Sequence, residues 1–122
     1  MTVLSDTPGS RLSYTVVSVT GDIDLAAAGP LETELSDVLA AGRLHAILDM
    51  TSVRFLDSSG MTAIVKAHNH FHAAGGQLRL VITNRRVRMP LELTQLSTIL
   101  AIYDSLESAR ADWVAIDTKP PD

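Results

Sequence analysis

Residues Leu44 to Met50 contain a short continuous apolar run, Ala46-Ile47-Leu48, and soon afterwards Met61, Ile64, Val65, His68 and Phe71 recur at i, i+3, i+4, i+7 and i+10. A run that is apolar at every position suits a strand covered on both faces. The second pattern places one apolar stripe along a helix, which Gly75-Gly76 ends. A doubly covered strand feeding an amphipathic helix restricts the chain to layered α/β architectures.

The rest of the chain repeats the alternation. Tyr14 to Thr20 is β-branched and reads as a strand ended by Gly21-Asp22. Pro30 fits the first position of a helix carrying Leu31, Leu35, Val38 and Leu39 on one face, with Gly42 as its stop. Thr51 to Asp57 reads as a loop, and Leu78, Leu80 and Ile82 as a further strand. Asn84 caps a third helix, which Pro90 is expected to kink or restart before Leu91, Leu93 and Leu96. Ile99 to Tyr103 makes a last strand, and Asp104-Ser105 caps a final helix with Leu106, Ala109 and Trp113 as its buried stripe.

These elements predict an α/β fold with one domain over residues 14–116, a mainly parallel mixed sheet of four to five strands, about four helices and right-handed crossovers. Residues 1–13 are polar, with a turn at Pro8-Gly9 and room for a short edge strand at Thr2 to Leu4. The Pro-rich tail, residues 117–122, is expected to be disordered.

Composition excludes several classes of function. The chain has 122 residues, 46% apolar and 20% charged, as expected of one folded domain. Its net charge of -4 disfavours general nucleic-acid binding, which needs an excess of Lys and Arg. With no cysteine, thiolate catalysis and thiolate metal sites are excluded. No apolar run approaches the roughly 20 residues needed to span a bilayer, and the amino-terminal residues lack the pattern of a signal peptide, so a cytoplasmic protein is expected. No Gly-x-x-x-x-Gly-Lys loop is present and no cofactor is expected.

Loops leaving successive parallel strands emerge at one carboxyl edge, where α/β folds tend to place their sites. This would gather Asp22 and Asp24, then Asp57 to Gly60, then Asn84, Arg85 and Arg86. Ser58 and Ser59 fall at a helix start, where free N–H groups and the dipole accept negative charge. Phosphorylation there would add about -1.5 to -2 charges and change the surface more than the fold. The plainer reading is that Asp57 or Ser58 is an N-cap and Gly60 permits close packing. Hydrolase chemistry is disfavoured, because a nucleophile elbow needs Gly at position 56, which is Leu, and no His is placed as base. His68 and His72 share a helix face but lack a third ligand, so no metal site is expected. Arg85, Arg86 and Arg88 lack the aromatics of a nucleic-acid surface and read as a solvated helix start.

The array Gly21-Asp22-Ile23-Asp24, Leu48-Asp49-Met50-Thr51-Ser52-Val53 and Phe55-Leu56-Asp57-Ser58-Ser59-Gly60-Met61 resembles the STAS domains of bacterial anti-sigma factor antagonists. The likeness continues through Ala74-Gly75-Gly76-Gln77-Leu78, Val87 to Thr94 and Tyr103 to Ala109. It implies a regulator, not an enzyme, that binds an anti-sigma factor, often also a serine kinase, and so frees a sigma factor. Phosphorylation switches the binding off, with a serine phosphatase as a candidate for the reverse step. The family's phosphorylated serine corresponds to Ser58, with Ser59 as runner-up. Asp24, Asp57, Ser58, Ser59, Gly60, Arg85 and Arg86 are the expected partner-facing residues. The family commonly has glycine after the segment matching Leu93-Thr94, where this chain has Gln95. The competing reading is a STAS scaffold without a switch, or an accessory subunit of a larger signalling or transporter complex.

Overall fold

In the computed structural model of the protein, which describes residues 2–4 and 14–117, the continuous apolar run forms the middle of a five-stranded sheet ordered β1-β2-β3-β4-β5. β1 (Thr2–Leu4) pairs antiparallel with β2 (Thr15–Ile23). β2, β3 (His45–Leu56), β4 (Gln77–Val81) and β5 (Ala101–Tyr103) are mutually parallel. The helices are α1 (Leu25–Ala40), α2 (Ser58–Ala73), α3 (Arg85–Leu93) and α4 (Leu106–Asp117), with a 3-10 turn over Leu96–Thr98. The expected Pro8-Gly9 turn and the tail after Asp117 lie outside the described residues.

Each parallel strand lies beside the next in sequence, so the chain steps across the sheet in one direction, and crossovers of one hand then place their helices on one face. The packing agrees. Val17, Ala46, Leu48, Leu78 and Leu80 meet Leu31 and Leu35 of α1, Ile64 and Phe71 of α2, and Val87 and Leu91 of α3 in one core. Val16, Ile47 and Val81, which alternate with those strand residues, face Ala109 and Trp113 of α4 in a second. Ala46, Ile47 and Leu48 are all fully buried, the condition their continuous apolarity predicts.

Arg79 holds α4 in place. It is buried in β4, with its guanidinium carbon 3.9 Å from the Trp113 ring centroid and 5.5 Å from that of Tyr103. Its Nη1 donates to the Ala109 carbonyl at 2.7 Å and its Nε to Gln77 Oε1 at 3.1 Å. Burial of a charge is expensive unless its donors are met, and a planar guanidinium meets them while stacking on aromatic rings.

Five expectations need correction. Asp24, not the residue before Pro30, caps α1, with its Oδ1 accepting from the N–H groups of Ala26 and Ala27 at 3.1 and 3.2 Å. Pro30 therefore lies within the helix, and Pro90 likewise lies inside a continuous α3. The carbonyls these prolines cannot pair belong to Ala26 and Arg86, both exposed, so solvent can serve them. Gly21 does not end β2. It takes φ +81° within the strand, which continues to Ile23. Nor is Thr51 to Asp57 a loop, since β3 runs through Leu56, pairing with β2 across two register shifts. At both shifts β3 supplies the extra residue, and the Asp49 side chain accepts the Thr51 N–H at 3.1 Å.

The fifth correction concerns the turn before β5, whose strand begins at Ala101 because Leu96–Thr98 forms the 3-10 turn and Ile99 caps it. Gln95, just past the α3 C-cap Thr94, has φ 62° and is the one non-glycine residue with positive φ among those described. This is the left-handed position that commonly ends a helix and prefers glycine. The glycine that the resemblance leads one to expect there is thus replaced without loss of the turn. Gln95→Gly should therefore stabilise the protein by roughly 0.5–1 kcal/mol, the relieved left-handed strain being partly offset by glycine's larger unfolded-state entropy. Urea unfolding of the two proteins checks this, and a fall in stability would contradict it.

Candidate functional site

The carboxyl edge of the sheet is built from three helix starts, each capped by a short polar side chain at the end of the preceding loop or strand. Ile23 and Leu56 are register partners at the ends of β2 and β3, so Asp24 and Asp57 follow side by side, from strands about 4.8 Å apart. Asp57 caps α2, its Oδ1 accepting from the Gly60 N–H at 3.0 Å, while its own N–H donates to the Ile23 carbonyl at 3.2 Å. Asn84 caps α3, with its Oδ1 accepting from the Arg86 N–H at 2.9 Å and its Nδ2 donating to the Val53 carbonyl at 3.5 Å. One further strand along, then, α3 is tied to the same edge.

The cap of α2 is Asp57, and this frees Ser58. Ser58 is the first residue of the helix and exposed, and its hydroxyl makes no hydrogen bond to a described residue. Only its carbonyl is engaged, by the Thr62 hydroxyl at 2.9 Å. Ser59, one position on, is half-buried. Gly60 is buried: a Cβ there would lie 2.5 Å from the Ile23 carbonyl oxygen and 2.6 Å from Leu56 Cδ1. It contributes to the edge by letting the first turn of α2 seat on the end of β2, and not by facing solvent.

Asp24, Asp57, Ser58, Ser59 and Gly60 are therefore contiguous. Arg85 and Arg86 stand apart at the start of α3, both exposed. Sequence reasoning overlooked the apolar part of this edge. Leu25, which opens α1 beside Asp24, is 77% exposed, and Phe55, the register partner of Asp22, is 52% exposed. The pair Asp22–Arg54, at 3.8 Å, lies next to Phe55. The available signal was the outward phase of Phe55 on a strand, hidden because its segment read as loop.

The STAS domain family matches residues 6–109 of the chain. An anti-sigma-F factor antagonist of Mycobacterium tuberculosis is 28% identical over 94 residues, covering 77% of this chain and 76% of that protein. An anti-sigma F factor antagonist of Paenibacillus polymyxa is 23% identical over 91 residues, covering 74% and 78%. The crystal structure of an anti-sigma factor antagonist from Mycobacterium paratuberculosis superposes with a TM-score of 0.79 at 28% identity, covering 93% of both chains.

The histidines lie at the other end of the molecule. His68 and His72 stack with ring centroids 6.2 Å apart, and with His45 they line a hollow closed by Gly75, Gly76, Gln77 and Leu78. Among the described residues no group of three or more His, Asp or Glu side chains is arranged to hold a metal ion. The His68 Nδ1 is buried without a hydrogen-bond partner. Burial first, and the neighbouring His72 second, hold the His68 pKa below its ordinary 6.5. The folded protein thus favours neutral His68, and the stability this gives is complete above the unfolded value and is lost as pH falls from there through the lower folded value. His45, lowered by burial and then by Arg79, acts with the same sign. The urea midpoint should drop on acidification from about pH 7 to about pH 5, and His68→Gln should reduce that drop. Parallel pH profiles for the two proteins would contradict the assignment.

Proposed function

This chain belongs to the STAS domain family, and on that premise we propose that it is an anti-sigma factor antagonist, a cytoplasmic regulator switched off by phosphorylation of Ser58. The observation that carries the reading is the division of labour at the start of α2: Asp57 makes the cap, so the Ser58 hydroxyl has no structural duty and points from an exposed position. Half-buried Ser59 is the weaker candidate acceptor.

The docking surface in this reading is the edge around Asp24, Asp57, Ser58 and Ser59, seated by Gly60, with Leu25 and Phe55 as apolar contacts and Arg85 and Arg86 at its far side. The partner is an anti-sigma factor that is also a serine kinase. The Ser58 oxygen attacks the γ-phosphorus of the partner's ATP, a base on the partner takes the hydroxyl proton, and ADP leaves. A serine phosphatase hydrolyses the phosphoserine and restores the surface.

Two effects of opposite sign act on the phosphate. The α2 dipole favours it by about 0.3–1 kcal/mol. Against this, a doubly charged group beside the Asp24 and Asp57 carboxylates must be desolvated when a partner docks, and an unpaired buried charge at an interface costs about 2–5 kcal/mol. The second is larger, so phosphorylation leaves the fold in place and weakens docking.

An enzymatic role for Ser58 has no support in the placement of the histidines. All 4 histidines of the chain are remote; His68, the first on α2, is ten residues along the helix, about 15 Å away at 1.5 Å per residue. The test is co-purification of the wild type, Ser58→Ala and Ser58→Glu from the native cell, followed by affinity measurement with the anti-sigma factor recovered. Ser58→Ala should bind as the wild type does and resist phosphorylation, and Ser58→Glu should bind at least about tenfold more weakly, a loss of roughly 1.4 kcal/mol. Equal affinities for all three would sink the proposal.

A further inference from the structure

Helix α3 is apolar on two opposite sides. Val87 and Leu91, one turn apart, are buried against the sheet. Met89 and Leu93, also one turn apart, point the other way and are 42% and 77% exposed. They form the floor of an open groove with Pro90 and Thr94, and Arg85 and Arg86 flank its upper end. Large apolar side chains scattered singly on a surface need no explanation, but two stacked on one short helix around a groove form a patch.

The charges around the patch indicate what it fits. Arg54 pairs with Asp22, Lys66 with Glu32, and Arg88 with both Glu92 and Asp104. Arg85 and Arg86 make no ion pair with a described residue, in a chain whose net charge is -4. At 100° per residue they fall on either side of the Met89–Leu93 stripe. We propose that the outward face of α3 is a docking groove for an acidic amphipathic helix of a partner protein. Leucine-like side chains of that helix, spaced i, i+3 or i+4 and i+7, would cover Met89 and Leu93, and its flanking carboxylates would meet the two guanidinium groups.

A membrane surface fits less well, because two arginines fall short of the basic cluster of four to eight that holds a protein on anionic lipid, and the surrounding charge is acidic. The groove shares Arg85 and Arg86 with the far side of the edge proposed above but does not involve Ser58, so it stands without the phosphorylation switch.

The test is an amide NMR titration of the full chain with a synthetic helical peptide bearing Leu at i, i+4 and i+7 and Glu beside them. Shifts should cluster over Asn84 to Thr94. Leu93→Asp should weaken binding at least about tenfold, and the Arg85→Glu, Arg86→Glu double variant similarly. Arg110→Glu, on the exposed surface of α4, should bind as the wild type does. Replacing the peptide's Glu by Lys should abolish binding. No saturable binding, binding indifferent to Leu93→Asp, or a preference for phosphatidylglycerol vesicles that Leu93→Asp removes would each overturn the proposal.

Discussion

The first turn of α2 lies directly against the last residue of β2, and the carboxyl edge depends on that contact. The Asp57 N–H reaches the Ile23 carbonyl, the Asp57 carboxylate closes back on the Gly60 N–H, and Gly60 leaves no room for a side chain between helix and strand. Strand end, cap and helix start are thereby one unit. Because Ile23 and Leu56 are paired, the same contact fixes Asp24 beside Asp57 and so the start of α1 beside the start of α2. Ser58 takes its exposed place as a consequence, since the residue after the cap must begin the helix on the solvent side of this seat.

A rigid edge suits a switch that acts through charge. Cores on both sides of the sheet hold the strands, with α1, α2 and α3 packed on one face and α4 fastened to the other by Arg79 between Trp113 and the Ala109 carbonyl. Nothing in the first turn of α2 needs to move for a phosphate to be accepted on the Ser58 oxygen. In the proposed switch, what changes is the field that an approaching partner would meet, already shaped by Asp22, Asp24 and Asp57. The extension of β3 past β4 carries Phe55 and Arg54 out beside Asp22, which would widen the proposed docking surface.

Much of this was legible in the residues. Period and continuity identified the buried strand at Ala46-Ile47-Leu48, Ile64 and Phe71 of α2, and the Ala109–Trp113 stripe of α4, because burial on a given face demands those patterns; in α2 the face is centred on Ala63 and Ala67, which leaves Met61, Val65 and His68 only partly buried. The errors fall where tertiary pairing overrides local chemistry. Ser52, Val53 and Phe55 read as loop, yet they are strand because Thr20, Gly21 and Asp22 of β2 are there to pair with them. Gly21 reads as a stop but sits where the β3 register shifts, and Pro30 and Pro90 read as boundaries although exposed carbonyls let both helices run on. At the site, residue chemistry left Asp57 and Ser58 as alternative caps and could not rank Ser58 over Ser59. The family resemblance put Ser58 first, and three-dimensional placement adds that Asp57 is engaged, Ser58 exposed and Ser59 half-buried.

The claim most open to direct measurement is that a phosphate at Ser58 alters the surface and not the fold. Amide spectra of the full chain before and after stoichiometric phosphorylation would test it. The account predicts large shifts confined to the ends of β2 and β3 and the first turns of α1, α2 and α3, with the amides of β4 and α4 unmoved. Shifts spread through β4 and α4 would contradict it, since they would mean that phosphorylation repacks the domain.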